Sequence, residues 1–205
     1  MSARSDLWAM ERQLHQEGYR FVCGVDEAGR GPLAGPVCAA AVILPEGVEL
    51  PGLNDSKKLT EKRREALEPV IMEKAISYAV AFATVEEIEE MNILSAALLA
   101  MNRAIAELDR VPDLALIDGN TTRDITVPAR SIVGGDGKCA CIAAASVLAK
   151  VARDRVMYQL AEQYPQYGFE NHKGYGTKAH YAAIEAYGPS PVHRMSFLKK
   201  FYAKR

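Results

Sequence analysis

Four acidic residues stand where chemistry could be done: Asp26 and Glu27 side by side, then Asp118, then Asp136. Each adjoins glycine or turn residues that keep nearby bulk low, in Asp26-Glu27-Ala28-Gly29, Asp118-Gly119-Asn120 and Gly134-Gly135-Asp136. Asp26 closes an apolar, β-branched run, Phe21-Val22-Cys23-Gly24-Val25, which reads as a buried strand. Asp118 closes a second such run, Leu114-Ala115-Leu116-Ile117, and Asp136 follows a third segment at 130–133. Taken singly, each acid has a structural explanation. Asp118-Gly119 is good turn chemistry, and Asp136 could cap the helix that follows. Taken jointly, three strand ends carry acids with no structural need for them. Should Asp26, Glu27, Asp118 and Asp136 converge, protonation or a cation must relieve their repulsion. An all-oxygen ligand set favours Mg²⁺ or Mn²⁺ over zinc. Two such ions, roughly 3.5–4 Å apart, would activate a water and stabilise a leaving oxygen, which is phosphodiester hydrolysis.

Beside the first two acids lies Gly29-Arg30-Gly31-Pro32-Leu33-Ala34-Gly35. Glycine backbone lets a ligand approach closely, and Arg30 offers a planar fork suited to phosphate. The stretch is one residue too long for the dinucleotide-binding glycine pattern, and a strand follows where that pattern needs a helix. Gly137-Lys138 imitates the end of a phosphate-binding loop, but Cys139 replaces the hydroxyl residue and Ile132 the first glycine. Both nucleotide motifs are excluded.

The elements that must position these residues can be read from periodicity and punctuation. Ser5 caps a short helix carrying Leu7, Met10 and Leu14 on one face and ending at Gly18. Strands are expected at 19–26 and 37–44, then a loop at 45–58. Thr60 caps a charged helix at 61–75, which Pro69 should kink or divide. A third strand follows at 76–84, a helix capped by Thr84 at 85–91, and a strong helix at 93–108. After the strands at 114–117 and 130–133, a long helix runs from about 138 to 164, where Pro165 stops it. Its run Ile142-Ala143-Ala144-Ala145-Ser146-Val147-Leu148-Ala149 is small enough to pack closely on a sheet. Residues 172–177 form a loop, 177–187 a helix closed by Gly188, and 196–202 a last basic turn. Three strands in a row, then strands separated by helices, predict an α/β fold with a mixed sheet flanked by helices. Sites in such sheets form beyond strand ends, near a switch in strand order.

Composition bounds the rest. The 205 residues, 49% of them apolar, read as one globular domain at 1–205: a sheet-and-helix core at about 19–165 and a basic C-terminal part at about 166–205. No apolar run is long enough to cross a membrane, and the first residues do not read as a signal peptide. Cys23, Cys38, Cys139 and Cys141 lack metal-site spacing and read as core thiols of a reducing, cytoplasmic setting. The formal net charge is −1, yet residues 172–205 hold seven Lys or Arg against one acid. An acidic body beside a basic region suits a metal site next to a phosphate-binding surface. Asn54, Lys57, Lys58, Lys173 and Arg194 could hold phosphates, which sets register rather than sequence preference. Tyr175, between Gly174 and Gly176, is an aromatic available for stacking.

Five blocks, in order, resemble bacterial ribonuclease HII, a type 2 ribonuclease H. They are Asp26-Glu27-Ala28-Gly29-Arg30-Gly31-Pro32, Asn54-Asp55-Ser56-Lys57-Lys58-Leu59, Ile117-Asp118-Gly119-Asn120, Gly135-Asp136 with Ile142-Ala143-Ala144-Ala145-Ser146, and His172-Lys173-Gly174-Tyr175-Gly176-Thr177. The resemblance implies a ribonuclease H-like five-stranded mixed sheet with a small helical C-terminal part. It implies endonucleolytic cleavage of RNA in RNA–DNA hybrids and on the 5′ side of single ribonucleotides in duplex DNA, leaving 3′-hydroxyl and 5′-phosphate ends. It makes Asp26, Glu27, Asp118 and Asp136 the catalytic and metal-holding acids. Gly29-Arg30-Gly31 would read the 2′-hydroxyl through backbone, and Tyr175 would stack on the sugar beside the junction. A 2′-hydroxyl is the group that separates RNA from DNA at one nucleotide.

Two other classes fit parts of the pattern. A sugar-indifferent DNA nuclease or recombinase of related fold would ignore the 2′-hydroxyl. A non-catalytic nucleic-acid-binding domain would bind duplex in a salt-sensitive, chelator-indifferent way. Phe197-Leu198-Lys199-Lys200-Phe201-Tyr202 could contact a replication partner such as a sliding clamp, or form a plain amphipathic turn. No symmetric interface is legible, so a monomer is expected.

Overall fold

A computed structural model of the protein describes residues 6–203. The cap expected at Ser5 lies outside the described residues. Five strands form one sheet: β1 (Val22–Ala28), β2 (Val37–Ile43), β3 (Ser77–Ala83), β4 (Leu114–Asp118) and β5 (Ala129–Ile132). Their spatial order is β3-β2-β1-β4-β5. β1, β2 and β3 pair antiparallel, whereas β1–β4 and β4–β5 are parallel. The chain leaves β1 toward β2 on one side, while β4 arrives on the other. The strand order therefore switches at the C-terminal end of β1, where α/β sheets place their ligands.

Helices cover both faces. The described residues include α1 (Ala9–Gln16), α2 (Glu61–Lys74), α3 (Val85–Met91), α4 (Ile93–Ala106), α5 (Ala140–Gln163), α6 (Phe169–His172), α7 (Lys178–Tyr187) and α8 (Met195–Tyr202). Alternation along the strands divides the core in two. Cys38, Ala40, Val42, Leu114 and Leu116 face α5, whereas Cys23, Val25, Ala39, Ala41 and Ile117 face α4. A third apolar cluster joins Leu33 and Ala34 to Met157, Tyr167, Phe169, Ile184 and Leu198, and so ties the C-terminal helices to the loop after β1.

The approach of α5 to the sheet is set at Gly24. A Cβ there would stand 2.2 Å from the Cys141 carbonyl carbon and 2.3 Å from the Ile142 nitrogen. The alanines that follow are fully buried, so backbone rests on backbone along the first turns of α5.

Thr60, Thr84 and Thr177 each accept a hydrogen bond from the third residue of the helix they cap, as their positions predict. Pro69 does not divide α2. It sits on the exposed side, and so does Glu65, whose carbonyl it leaves without a partner. α5 begins at Ala140 and not near 138, because a 3-10 turn at Gly135–Gly137 and extended Cys139 precede it. The short α6 falls mostly in residues 166–171, to which the sequence assigns no element, and takes in His172, expected to open a loop.

Candidate metal centre and substrate cleft

β1 and β4 run parallel, with Val25 level with Ile117. One step further, Asp26 and Asp118 emerge side by side, on the face that packs against α5. The turn between β5 and α5 brings Asp136 to them. One carboxylate oxygen from each of Asp26, Asp118 and Asp136 lies within 4.8 Å of the others. Asp26 is 3% exposed and Asp136 6%.

Each acid is held by the backbone or by a neighbour. Asp26 accepts from the Glu27 amide at 2.7 Å and from the Ser146 hydroxyl, and Ser146 in turn lies 2.6 Å from the Ser56 hydroxyl. Asp118 Oδ1 accepts from the Gly135 amide at 2.6 Å. Asp136 lies 3.6 Å from Lys57 Nζ and shares a hydrogen bond with Asp55. Burial, then the charges of Glu27 and Asp118, pushes the Asp26 carboxyl well above its usual range. Burial, then Asp55 and Asp118, pushes Asp136 upward as well. Asp55 is held low in spite of its own burial, by the Lys57 amide and by its hydrogen bond with Asp136. Buried, mutually repelling oxygens of this kind are satisfied by a divalent cation. The donor set fits a hard ion, with oxygens only and no imidazole or thiolate.

Glu27 was expected with the other three, but it is not part of the triad. Adjacent strand residues face opposite ways, and Glu27 turns toward the α4 side, where its carboxylate takes a hydrogen bond of 3.0 Å from Arg30. It still lines the cleft, and burial, with Asp118 adding to it against the pull of Arg30, raises its pKa.

The cleft holds about 470 Å³, between Asp26 and Lys57 on one side and Gly31 and Tyr175 on the other. Tyr175 is 47% exposed. The position of a Cβ on Gly31 is 3.4 Å from the Tyr175 ring, at its Cε1. Gly31 thus stands open toward the cleft, as expected of a glycine that admits a ligand. Gly29 is glycine for another reason: its φ is +98°, and a Cβ would fall 1.9 Å from Arg153 Nε.

The expected phosphate contacts divide. Lys57 and Lys58 are exposed at the cleft rim. Asn54 is engaged by the Asp55 amide at 2.9 Å. Lys173 folds back, with its ammonium 4.2 Å from the centre of the Tyr158 ring and donating to the Glu170 carbonyl at 2.6 Å. Arg194 corrects the sequence reading outright. It is fully buried, and its guanidinium donates to the carbonyls of Gly29, Arg30, Pro32 and Gly35. A phosphate cannot reach it.

Three participants escaped sequence reasoning. Asp55 sat in a lysine-rich loop that masked its carboxylate. Ser146 was visible as the lone hydroxyl in an alanine run. Arg153, 1% exposed on the same helix, donates to the carbonyls of Pro36, Lys173 and Ala34; its signal was a cation one helical face on from Ser146.

Comparison with known proteins bears on this geometry. The family model described as Ribonuclease HII matches residues 23–200. A ribonuclease HII of Dechloromonas aromatica is 60% identical over 177 residues, covering 86% of this chain and 90% of its own. Among solved structures, the ribonuclease H2 of Pyrococcus horikoshii superposes with a TM-score of 0.74 at 28% identity, covering 90% of this chain and 98% of its own. The ribonuclease HII in a PCNA complex from Archaeoglobus fulgidus gives 0.74 at 25% identity, covering 86% and 94%.

Proposed function

The chain belongs to the ribonuclease HII family, a hydrolase of RNA in RNA–DNA hybrids, and from that premise we propose that it is a divalent-metal-dependent endonuclease that also cuts 5′ of a single ribonucleotide in duplex DNA. The products are a 3′-hydroxyl and a 5′-phosphate. The observation that carries the proposal is the convergence of Asp26, Asp118 and Asp136 oxygens within 4.8 Å, with Asp26 lining a cleft that Gly31 and Tyr175 also line.

Asp26, Asp118 and Asp136 would hold the metal, Mg²⁺ or Mn²⁺, with Glu27 beside them for a second ion once substrate is bound. Such ions supply charge that lowers the pKa of an attacking water and stabilises the leaving oxygen. The chain does the positioning. The Gly135 amide orients Asp118, and Ser146 with the Glu27 amide orients Asp26. Burial and the neighbouring carboxylates raise the proton affinity of Asp26 and Asp136, the repulsion that a bound cation would relieve. The exposed ammonium groups of Lys57 and Lys58 meet backbone phosphates and fix register. The backbone of Gly29, Arg30 and Gly31 meets the 2′-hydroxyl, and Tyr175 lays its ring on the neighbouring sugar.

The proposal further assigns one catalytic domain, one copy and a cytoplasmic setting. Among the described residues no helix is long and apolar enough to cross a membrane. All four cysteines are free and buried, and burial pushes the Cys23 and Cys139 thiols up to about 12. Support for a replication partner comes from the name of the Archaeoglobus fulgidus complex alone. Here Leu198 is fully buried and Phe201 stacks on Tyr181 at 5.2 Å, which favours the plain amphipathic helix.

The deciding experiment is cleavage of a duplex carrying one ribonucleotide, with Mg²⁺ or Mn²⁺ and with chelator. Cutting at the 5′ side, abolished by chelator and absent on the all-DNA duplex, is expected. Equal cutting of both duplexes would favour a sugar-indifferent nuclease; salt-sensitive binding without products would favour a binding domain.

A further inference from the structure

Two arginines lie buried behind the loop at 29–36, and no carboxylate is within ion-pair distance of either among the described residues. Arg194 donates to five carbonyl contacts: Gly29 at 2.7 Å, Arg30 at 3.1 Å, Pro32 at 2.9 Å, and Gly35 at 2.9 and 2.7 Å. Arg153 takes the Ala34 and Pro36 carbonyls, each at 3.1 Å. Burying a cation without a counter-charge is unfavourable unless its donors are met. Here the loop's own carbonyls meet them. Burial lowers the pKa of Arg194 to about 9, with the charge of Arg153 adding to it.

Peptide planarity turns this into a statement about the other side of the loop. In a trans peptide the N–H points opposite to the C=O, and no cis bond is present. The Gly29 carbonyl belongs to the peptide of the Arg30 amide, and the Arg30 carbonyl to that of the Gly31 amide. With both carbonyls drawn toward Arg194, both amides face away from it. The next amides are spoken for: Leu33 donates to Gly174 and Gly35 to Val192, each at 2.8 Å. The amides of Arg30 and Gly31 have no partner among the described hydrogen bonds, and both residues are exposed at the cleft.

We infer that Arg194 is a positioning residue for sugar selection: it fixes the peptides at 29–31 so that two successive amides are held as a donor pair for the 2′-hydroxyl. This rests on the proposed function and adds to it the device that orders the loop. Lysine would keep the charge yet could not span four carbonyls, because its ammonium is a point and not a fork. The guanidinium does not touch the substrate; it acts through the loop.

The test is binding, not turnover. In an Asp118→Asn background with Mg²⁺, affinity is measured for a duplex with one ribonucleotide and for the same duplex all in DNA. With Arg194 intact, the ribonucleotide duplex binds more tightly. Arg194→Lys is expected to reduce that preference about tenfold, the worth of one or two hydrogen bonds, while affinity for the all-DNA duplex holds. A purely structural role would weaken both duplexes alike. A preference undiminished in a folded Arg194→Lys overturns the inference. Absence of any preference with Arg194 intact overturns the functional reading and the inference with it. Should Arg194→Lys fail to fold, ¹⁵N spectra of the chain with Arg194 in place decide. The Arg30 and Gly31 amide signals must shift with the ribonucleotide duplex and stay with the DNA duplex; identical shifts overturn the inference.

Discussion

Replacing Gly24 with alanine isolates the contact on which the site's geometry depends. Gly24 lacks the positive φ that would strain an alanine, so only packing changes. The added methyl would lie 2.2 Å from the Cys141 carbonyl carbon and 2.5 Å from its oxygen, where carbon–carbon contacts sit near 3.5–4.0 Å. Both partners are backbone, so no side chain can rotate away, and strand and helix must part by about 1 Å. Overpacking of this severity costs about 3 kcal/mol, the upper part of the usual range. For a chain of this size that lowers Tm by about 6–12 °C. The site should suffer more. α5 carries Ser146, the hydroxyl on Asp26, and begins just after Asp136. A displacement of about 1 Å at a catalytic constellation lowers the rate about 100-fold. Thermal unfolding and single-turnover cleavage of a one-ribonucleotide duplex read the two effects. A Tm within about 2 °C of the parent, with the rate intact, would show that α5 is not seated on Gly24.

Asp118→Asn should lower cleavage at least about 100-fold while leaving the fold intact, because an amide oxygen can still accept from Gly135; substantial residual turnover in a cleavage assay would remove Asp118 from the metal centre. Tyr175→Ala should lower selectivity for the ribonucleotide junction more than Tyr175→Phe, since stacking needs the ring and not the hydroxyl; equal losses in competitive cleavage would count against stacking. Stability should fall in acid through His180 and His193, whose ring nitrogens meet at 3.0 Å. Burial, opposed in each by a backbone hydrogen bond, holds both near pKa 4, below the ordinary histidine value of 6.5. Their neutral forms are the native ones, so stability is full above the unfolded pKa and is lost as pH falls from 6.5 toward 4. Urea unfolding should give about 4 kcal/mol less at pH 5 than at pH 7, about 2 from each histidine, a difference that shrinks in His180→Gln; an unchanged pH dependence in that variant would refute the assignment.

What the sequence made legible was mostly local. Thr60, Thr84 and Thr177 announced their helices because a cap is a matter of three residues. Strands β1 and β4 announced themselves by apolar runs; β4 ends on its acid, Asp118, whereas β1 runs two residues past Asp26 to Ala28. Parity along β1 is the reason Asp26 and Glu27 part, although the sequence reading kept them together. Residues whose role depends on burial were misread or missed. Arg194 looked like a phosphate ligand, because nothing near it in sequence shows that it inserts behind residues 29–35. Asp55 was hidden in the loop at 45–58, because its contact with Asp136 depends on how that loop packs against the turn after β5. A charge's surroundings are set by tertiary packing, and a single sequence does not encode them at short range.

The cation behind the selecting loop has a consequence for the order in which the protein is made. Every acid of the triad has been synthesised by Asp136, whereas the loop's anchor is the 194th of 205 residues. Strands, long helix and carboxylates are all made while the loop at 29–31 is still without its anchor. On the proposed function, the residues of the metal centre are therefore made well before the residue that orders the loop at 29–31.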